Sequence, residues 1–404
     1  MTVAGARSAT LATLAVAFVL SGCGGSDSTA TPAPAADEAK LTRLELIGKR
    51  IFFDESLSEP PGQACGSCHV QAAAFSGNFG SSAGVPFASD RATLGLRNTP
   101  TAMYAAFTPS FTLARDGANT IAKGGLFLDG RAASLEDQAR MPFFAAGEMN
   151  LANEGELAIR LANAGYAPLM AEEFGSGVFG DSRIAVDSAT RAIAAFERTA
   201  VFAPFSSKYD NSLAGAVVLS DLEKEGLKLF DDPVKGNCTR CHAFTPFARR
   251  PADLLFTDFG YHAIGVPRNA RIPANADAAF FDLGLCGPRR DRVADDRLCG
   301  AFKVPTLRNV ARRPALMHNG FFTNLRDVVA FYATRDSNPA RWYPAGMKFD
   351  DLPALHRGNV DVTIVPYVPA PGSTATLTEH EIDAITAFLG TLSDGFGPSR
   401  IPGS

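Results

Sequence analysis

The sequence predicts a mainly α-helical fold with long loops and little β structure. Apolar residues recur at helical spacing in several segments, whereas the alternation that is typical of strands is sparse and short. The 404 residues include 37 glycines and 26 prolines, which favour loops such as Phe75 to Pro100 and Pro246 to Pro305. With 46% hydrophobic residues, the chain is long enough for two or three domains.

Five segments carry the helical pattern. They are the stretch with Leu41, Leu44, Ile47 and Ile51 on one side, then Glu154 to Ala164, Arg183 to Thr199, Asp221 to Phe230, and a closing helix that extends to Gly395. Ser220 with Glu223, and Thr378 with Glu381, match the capping-box pattern and predict the starts of the last two helices.

Two copies of the pattern Cys-x-x-Cys-His carry the chemistry of the chain. They are Cys65-Gly-Ser-Cys68-His69 and Cys238-Thr-Arg-Cys241-His242. In this motif the two thiols form thioether bonds to a haem, and the adjacent imidazole ligates the iron. The alternative is a reduced redox or zinc pair, but zinc needs four ligands and a thioredoxin-like motif needs no final histidine. The sequence therefore predicts two covalently bound haem c groups, haem 1 on His69 and haem 2 on His242.

The charge balance excludes one class of partner. The formal net charge is −4 and no basic run occurs in the chain, which argues against a nucleic-acid partner. An acidic protein can still dock a basic electron donor, because net charge says more about solubility than about partners.

Residues 1–23 are typical of a bacterial lipoprotein signal peptide. Arg7 precedes an apolar stretch, Leu11 to Leu20, that is too short to span a bilayer. The following Ser-Gly-Cys23 resembles a lipobox, in which cleavage leaves Cys23 as a lipidated N-terminus. An ordinary secretory signal is the alternative and implies the same export. Residues 24–40 predict a flexible linker, so we expect a periplasm-facing protein that meets a membrane only through Cys23.

Each of the seven cysteines can be assigned a role. One belongs to the lipobox and four to the haem motifs, which leaves Cys286 and Cys299. Because the two lie in a polar loop of an exported protein, we expect a disulfide between them. A pair of free buried thiols is the alternative.

The order of motifs resembles the bacterial di-haem cytochrome c peroxidase family, which includes the MauG-type enzymes. The resemblance covers about residues 41 to 393 and rests on Gly48-Lys-Arg-Ile-Phe-Phe-Asp54, Arg97-Asn98-Thr-Pro100, Asp129-Gly-Arg131-Ala, Gln138, Glu148-Met149, Leu307-Arg-Asn309 and His318-Asn-Gly320. It implies two cytochrome c-like haem domains, residues 41–210 with a peroxidatic haem 1 and residues 211–395 with an electron-transfer haem 2. Residues 396–404 form a tail.

The resemblance assigns His69 as the proximal ligand of haem 1 and sets Gln138 and Glu148 over its open face. Heterolytic cleavage of a peroxide needs a vacant iron position, a group that moves a proton and a neutral hydrogen-bonding neighbour, and Glu and Gln supply the last two. The alternative for each is an ordinary helix-surface side chain. Family peroxidases carry a capping histidine after the first motif, but Val70 to Phe111 contains none. We therefore expect an open, five-coordinate iron, with Met103 as an alternative cap.

The resemblance also points to Tyr332 as the sixth ligand of haem 2, where ordinary family peroxidases have a methionine. An anionic oxygen ligand makes the iron harder to reduce. The alternative is a core tyrosine beside an iron ligated by Met317. Leu128 stands where the family commonly has a tryptophan between the haems, and Trp342, the only tryptophan, is either a substitute relay or a packing residue.

A calcium ion between the domains is a further implication of the resemblance. Asn98 matches the side-chain ligand, and the carbonyls near Arg313 and Ala315 match by position. Oxygen ligands suit this hard cation.

The remaining histidines are expected to be structural. His318 and His262 fall in segments close to haem 2, whereas His356 and His380 are expected at the surface.

Three functions are compatible with these residues. The first is a peroxidase that reduces hydrogen peroxide to water with electrons from a small cytochrome c or cupredoxin. The second is a MauG-like enzyme that oxidises a Trp or Tyr of a partner protein. The third is a di-haem electron carrier without catalysis, against which Gln138, Glu148 and the open face argue.

Overall fold

The computed structural model describes residues 38–117, 119–244, 251–289, 291, 293–367, 374 and 376–397. The expected signal peptide with Cys23, most of the linker and the end of the tail lie outside the described residues. Among the residues that are described, no helix is long and apolar enough to cross a bilayer. The α-helices and strands of the described residues lie in one compact unit that begins at Leu41.

Helix is the main regular structure of this unit, which confirms the predicted mainly α fold. The α-helices are α1 (Arg43–Phe52), α2 (Cys65–Cys68), α3 (Leu135–Phe144), α4 (Glu154–Ala162), α5 (Ala167–Phe174), α6 (Ser182–Glu197), α7 (Lys208–Leu213), α8 (Asp221–Asp231), α9 (Leu325–Thr334) and α10 (Glu379–Gly390). The strands form two antiparallel pairs, β1 (Thr112–Asp116) with β2 (Asn119–Lys123), and β3 (Tyr261–His262) with β4 (Phe302–Lys303).

Each Cys-x-x-Cys-His motif follows a helix that another helix crosses at very short range. α1 precedes the first motif and packs on α6, whereas α8 precedes the second and packs on α10. A Cβ atom on Gly48 of α1 would lie 1.9 Å from the carbonyl oxygen of Ala192, and one on Gly226 of α8 would lie 1.9 Å from that of Ala384. Only glycine lets the two helix backbones come this close. The same glycine-dependent helix packing therefore occurs beside both motifs.

Both expected capping boxes are present. The Ser220 hydroxyl accepts from the Glu223 amide at the start of α8, and Thr378 does the same for Glu381 at the start of α10. In each box the glutamate side chain accepts in return from the backbone of the capping residue. The sequence therefore predicted where these helices begin.

The end of α10 differs from the expectation. The helix ends at Gly390 and does not reach Gly395. The backbone amide of Asp394, which would bond to the Gly390 carbonyl if the helix continued, donates instead to the side-chain oxygen of Asn309 at 2.8 Å. The helix thus ends where a tertiary hydrogen bond begins, although the apolar pattern of the sequence continues to Leu392.

A buried ion pair joins Asp210 of α7 to Arg308. The guanidinium of Arg308 donates to both carboxylate oxygens of Asp210, at 2.9 and 2.5 Å, and both side chains have no exposed surface. Nearby, Asp394 accepts from the Tyr104 hydroxyl at 2.7 Å and from the Asn309 amide at 2.6 Å. These bonds join segments that are far apart in the chain.

Candidate two-haem active site

One large cavity reaches both Cys-x-x-Cys-His motifs. The empty volume of this cavity, including the space at its openings to solvent, is about 3410 Å³. Its wall contains all cysteines and histidines of the two motifs, namely Cys65, Cys68, His69, Cys238, Cys241 and His242. Core aromatic and aliphatic side chains such as Phe52 and Leu389 complete the wall. A space of this kind suits large, mostly apolar cofactors.

The first motif presents its histidine in the form that a metal ligand requires. Cys65 to Cys68 form the single turn α2, and His69 ends it. The Nδ1 atom of His69 lies 2.9 Å from the carbonyl oxygen of Phe75, which leaves Nε2 for iron. Burial lowers the pKa of His69, so the ring stays neutral at neutral pH.

The thiols of the first motif are poor candidates for a thiolate site. Both are free of disulfides, and burial raises the pKa of Cys68 to about 12 and that of Cys65 further still. A reactive cysteine needs the opposite shift of its pKa. In the described part of the chain, no group of three or more His, Cys, Asp or Glu side chains is gathered to hold a metal. The described residues therefore do not bring together the four ligands that zinc needs, whereas the motif fits covalent haem attachment.

The second motif repeats this arrangement. The Nδ1 atom of His242 lies 3.1 Å from the carbonyl oxygen of Phe256, and burial lowers the pKa of His242 to about 4. The Nε2 atom of His262 lies 3.5 Å from the sulfur of Cys241, so this histidine lies beside one of the two thiols that would bind haem 2. Both motifs thus fit covalent haem attachment, and the neutral imidazoles of His69 and His242 would hold the irons.

Gln138 and Glu148 line the same cavity as Cys68 and His69. Gln138 projects from α3, and Glu148 follows that helix in a turn where its carbonyl accepts from the Ser89 amide at 3.0 Å. The negative charge of Glu148 is one cause of the raised pKa of Cys68, after burial, so the carboxylate lies near the attachment site of haem 1.

Arg289, which was not predicted from the sequence, contacts Glu148. Its Nη2 atom donates to Glu148 Oε1 at 2.9 Å, and both side chains retain about a third of their exposure. Arg289 also lines the cavity, from the loop that contains Cys286 and Cys299. These two cysteines form a disulfide.

Met103, the alternative cap of haem 1, is buried beside Asn309. The Asn309 amide donates to its sulfur at 3.3 Å, although the residue also borders the cavity. The thioether therefore already has a polar partner.

Tyr332 lies on α9 and lines the cavity beside the second motif. Its ring stacks on that of Tyr367, and the Arg335 guanidinium lies 3.6 Å over the Tyr367 ring. Burial first, and then the neighbouring Cys241 and Cys238, raise the pKa of Tyr332 above its usual range, so the phenol stays protonated unless a cation replaces the proton.

Met317, the alternative ligand of haem 2, also lines the cavity. Its carbonyl oxygen and that of Ala315 lie 3.2 and 2.9 Å from the Asn98 side-chain amide. An amide turned by half a rotation would present its oxygen at the same place. The side chain of Asn98 and the carbonyl of Ala315, two of the expected calcium ligands, therefore lie within hydrogen-bonding distance of each other. The guanidinium of Arg313 points elsewhere and donates to the carbonyls of Thr306 and Arg308.

The two inter-haem candidates differ in their surroundings. Leu128 lines the cavity, where its carbonyl accepts from the Lys303 amide at 2.9 Å. Trp342 packs against Phe322 and Phe331 and donates to the Thr334 hydroxyl at 3.0 Å. These contacts favour the packing interpretation of Trp342.

The histidines outside the motifs have protein partners or are buried. His318 bonds to Asp351 at 3.0 Å and stacks on Phe302, and His380 pairs with Glu225 near the surface. The expectation that His356 is exposed was wrong, because only 7% of the residue is accessible.

Two buried ionisable groups on the cavity wall were also missed. Burial raises the pKa of Glu197 to about 8, and its Oε2 atom has no hydrogen-bond partner among the described residues. Burial lowers the pKa of Lys303 to about 8. Nothing in the local sequence signals either environment, which arises from the packing of distant segments.

The fold and the site define a mainly helical protein with two haem-attachment motifs on one cavity. The family of di-haem cytochrome c peroxidases, which includes the MauG proteins, matches residues 42–217. The methylamine utilization protein MauG of Paracoccus denitrificans is 36% identical over 393 residues, which cover 96% of this chain and 95% of that protein. The cytochrome c551 peroxidase of Nitrosomonas europaea is 31% identical and covers 70% of each chain.

A solved structure extends the likeness to the fold. The diheme peroxidase BthA of Burkholderia thailandensis has a TM-score of 0.82 and 40% identity, over 89% of this chain and 88% of that chain. The chain therefore belongs to the di-haem cytochrome c peroxidase family and is an oxidoreductase. The resemblance found in the sequence is confirmed, and membership implies two haem c groups.

Proposed function

We propose that this protein reduces hydrogen peroxide to water with electrons from a small periplasmic cytochrome c or cupredoxin. Each turnover joins one peroxide, two protons and two electrons to give two waters. Haem 1 would meet the peroxide, and haem 2 would receive the electrons. The corresponding halves are residues 41–210 and 211–395.

The protein groups each have one task in this proposal. Bound haem supplies an iron that accepts peroxide and stores oxidising equivalents. Glu148 takes the proton from one peroxide oxygen and returns it to the other, which leaves as water. Gln138 donates a hydrogen bond to the peroxide, and His69 and His242 hold the two irons.

The observation that carries the proposal is the single cavity shared by both motifs. Glu148 and Gln138 line it beside the first motif, and Tyr332 lines it beside the second. A plain electron carrier has no use for an acid–base side chain at a haem face.

The test follows a reduced small cytochrome c by its absorption while peroxide is added to the di-haem protein. Catalytic oxidation of the donor, with two donors consumed per peroxide, supports the peroxidase. Glu154→Gln, which alters a carboxylate on α4 that is bound to Arg140 of α3, is the matched control for Glu148→Gln. Peroxide consumption without donor oxidation would contradict this function.

A second function is favoured by Tyr332 and by the MauG relatives. In this function the two oxidising equivalents from peroxide remove two electrons from a Trp or Tyr side chain of a partner protein. An oxygen ligand on haem 2 favours oxidised iron, which suits a long-lived oxidised state over rapid reduction by a donor. Slow donor oxidation with a persistent oxidised spectrum would support it.

We also propose a periplasmic location with a lipid anchor on Cys23. Processing at the lipobox would leave this residue as the acylated N-terminus. Incorporation of labelled fatty acid in wild type, and release of a Cys23→Ser variant from membranes, test the anchor.

Calcium at Asn98 is a further proposal. It is supported by the short distance between the Asn98 amide and the Ala315 carbonyl. Chelation should then change the haem spectrum or thermal stability of wild type, and Asn98→Leu should abolish that response.

A further inference from the structure

Arg289 reaches Glu148 from the other half of the chain. The two residues are 141 positions apart in sequence, yet Arg289 Nη2 donates to Glu148 Oε1 at 2.9 Å. Among the described residues, Arg289 is the one cation that is hydrogen-bonded to this carboxylate. A charge-assisted bond of this type is about twice as strong as a neutral one.

The loop that presents Arg289 is closed on itself. The disulfide Cys286–Cys299 spans 13 residues around it. Leu285, directly before the loop, is fully buried, and its carbonyl accepts from the amide of Val293 inside the loop at 3.1 Å. Leu285 and Val293 belong to a small apolar cluster that also contains Ala122 of β2 and Tyr261 of β3, so the loop packs against these strands.

A chain of ion pairs ties Asp282, which precedes this loop, to the first half of the chain. Asp282 accepts from Arg97 at 2.6 Å, and Arg97 donates in turn to Asp129 at 2.7 Å. All three side chains are at most 10% exposed. The loop is therefore fixed relative to the segment that precedes α3, the helix that carries Gln138.

We propose that Arg289 is a positioning residue for Glu148, presented by the disulfide-closed loop. This inference rests on the proposed function of Glu148. A carboxylate that is 28% exposed at a cavity wall has several rotamers open to it. The guanidinium holds Oε1 and leaves Oε2 for the proton of the peroxide. The second half of the chain thus sets the geometry of the acid–base group of haem 1.

A double-mutant cycle tests this coupling on the complete holoprotein. The rate constant for the reaction of haem 1 with hydrogen peroxide is measured by rapid mixing for wild type, Arg289→Gln, Glu148→Gln and the double variant. We expect Arg289→Gln to slow the reaction about 10- to 100-fold, as loss of a supporting outer residue typically does. The double variant should react no more slowly than Glu148→Gln, because both changes remove the same function, a correctly positioned carboxylate at residue 148.

A second measurement involves no turnover. Neutral hydrogen cyanide must give up its proton to a base when cyanide binds iron, so the cyanide association rate should fall in Arg289→Gln and recover in part in Arg289→Lys. Arg297→Gln removes a cation that binds Asp295 in the same loop, and should leave both rates unchanged. Cys286→Ser with Cys299→Ser should slow both rates as Arg289→Gln does.

The outcomes separate the two proposals. If Glu148→Gln reacts with peroxide as fast as wild type, the proposed function of Glu148 fails. If Glu148→Gln is slow but Arg289→Gln is not, only the role of Arg289 is overturned. Multiplicative effects in the double variant would also overturn it, because they would mean that the two residues act independently.

Discussion

The ring of Tyr367 stacks on the ring of Tyr332, with centroids 5.8 Å apart and planes inclined by 20°. Arg335, which is fully buried and paired with Asp336, lies over the Tyr367 ring at 3.6 Å. The phenol proposed to ligate haem 2 therefore packs on a ring that Arg335 covers, and the buried ion pair with Asp336 fixes Arg335.

Replacing Tyr332 by Phe should change the ligation of haem 2. The ring keeps its stacking, but the oxygen proposed to reach the iron is lost. We expect the low-spin absorption and electron paramagnetic resonance signals of the ferric protein to change. Tyr367→Phe, which retains the stack, is the matched control and should keep the wild-type spectrum. An unchanged Tyr332→Phe spectrum would assign the ligand to another residue, Met317 first.

Haem 1 should have an open iron in the oxidised protein without prior reduction. Val70 to Phe111 offers no histidine, and the sulfur of Met103 already accepts from Asn309. The resting ferric protein should show one high-spin haem, and Met103→Leu should leave that signal in place. Two low-spin haems in the wild type would contradict this prediction.

Alanine at Gly48 or Gly226 should destabilise the protein. A Cβ atom at either position would overlap a carbonyl oxygen of the crossing helix. Overpacking of this kind costs about 1–3 kcal/mol. Gly390→Ala is the control, since no atom lies within 4 Å of its added Cβ. Denaturant midpoints should fall for the first two variants only.

Acid should weaken the contribution of the Arg308–Asp210 pair. Burial alone raises the pKa of Asp210, but the hydrogen bonds and charge of Arg308 outweigh it and hold the pKa below the ordinary 3.8. The unfolded chain thus binds the proton more readily, and the stabilisation is present above about pH 4 and lost as pH falls through the lower folded value.

Unfolding of Asp210→Asn, followed from neutral pH to about pH 2, checks this contribution. The variant should be less stable than wild type at neutral pH and should lose less stability in acid. Asp221→Asn, at an exposed carboxylate on α8, should follow the wild-type pH profile. Parallel profiles for wild type and Asp210→Asn would contradict the assignment.

Local chemistry explains what could be predicted from the sequence. Covalent attachment needs thiols and imidazole at fixed spacing, so the haem motifs are visible without a fold. Capping boxes act within one turn, and those of Ser220 and Thr378 correctly predicted the starts of α8 and α10.

Tertiary contacts explain what could not be predicted. Arg289 meets Glu148 across 141 residues, and the stack on Tyr332 comes from a different segment. The end of α10 likewise involves a distant partner, Asn309, and the burial of His356 arises only in the folded chain. No periodicity or motif carries such information.

The central claim is that haem 1 accepts peroxide at an open iron with Glu148 as the proton carrier. Rapid mixing of the oxidised protein with hydrogen peroxide, without prior reduction, tests it most directly. We predict an immediate change in the haem 1 spectrum for wild type and a rate about 100- to 10,000-fold lower for Glu148→Gln. A wild-type spectrum that does not respond to peroxide, or equal rates for the two proteins, would contradict the claim.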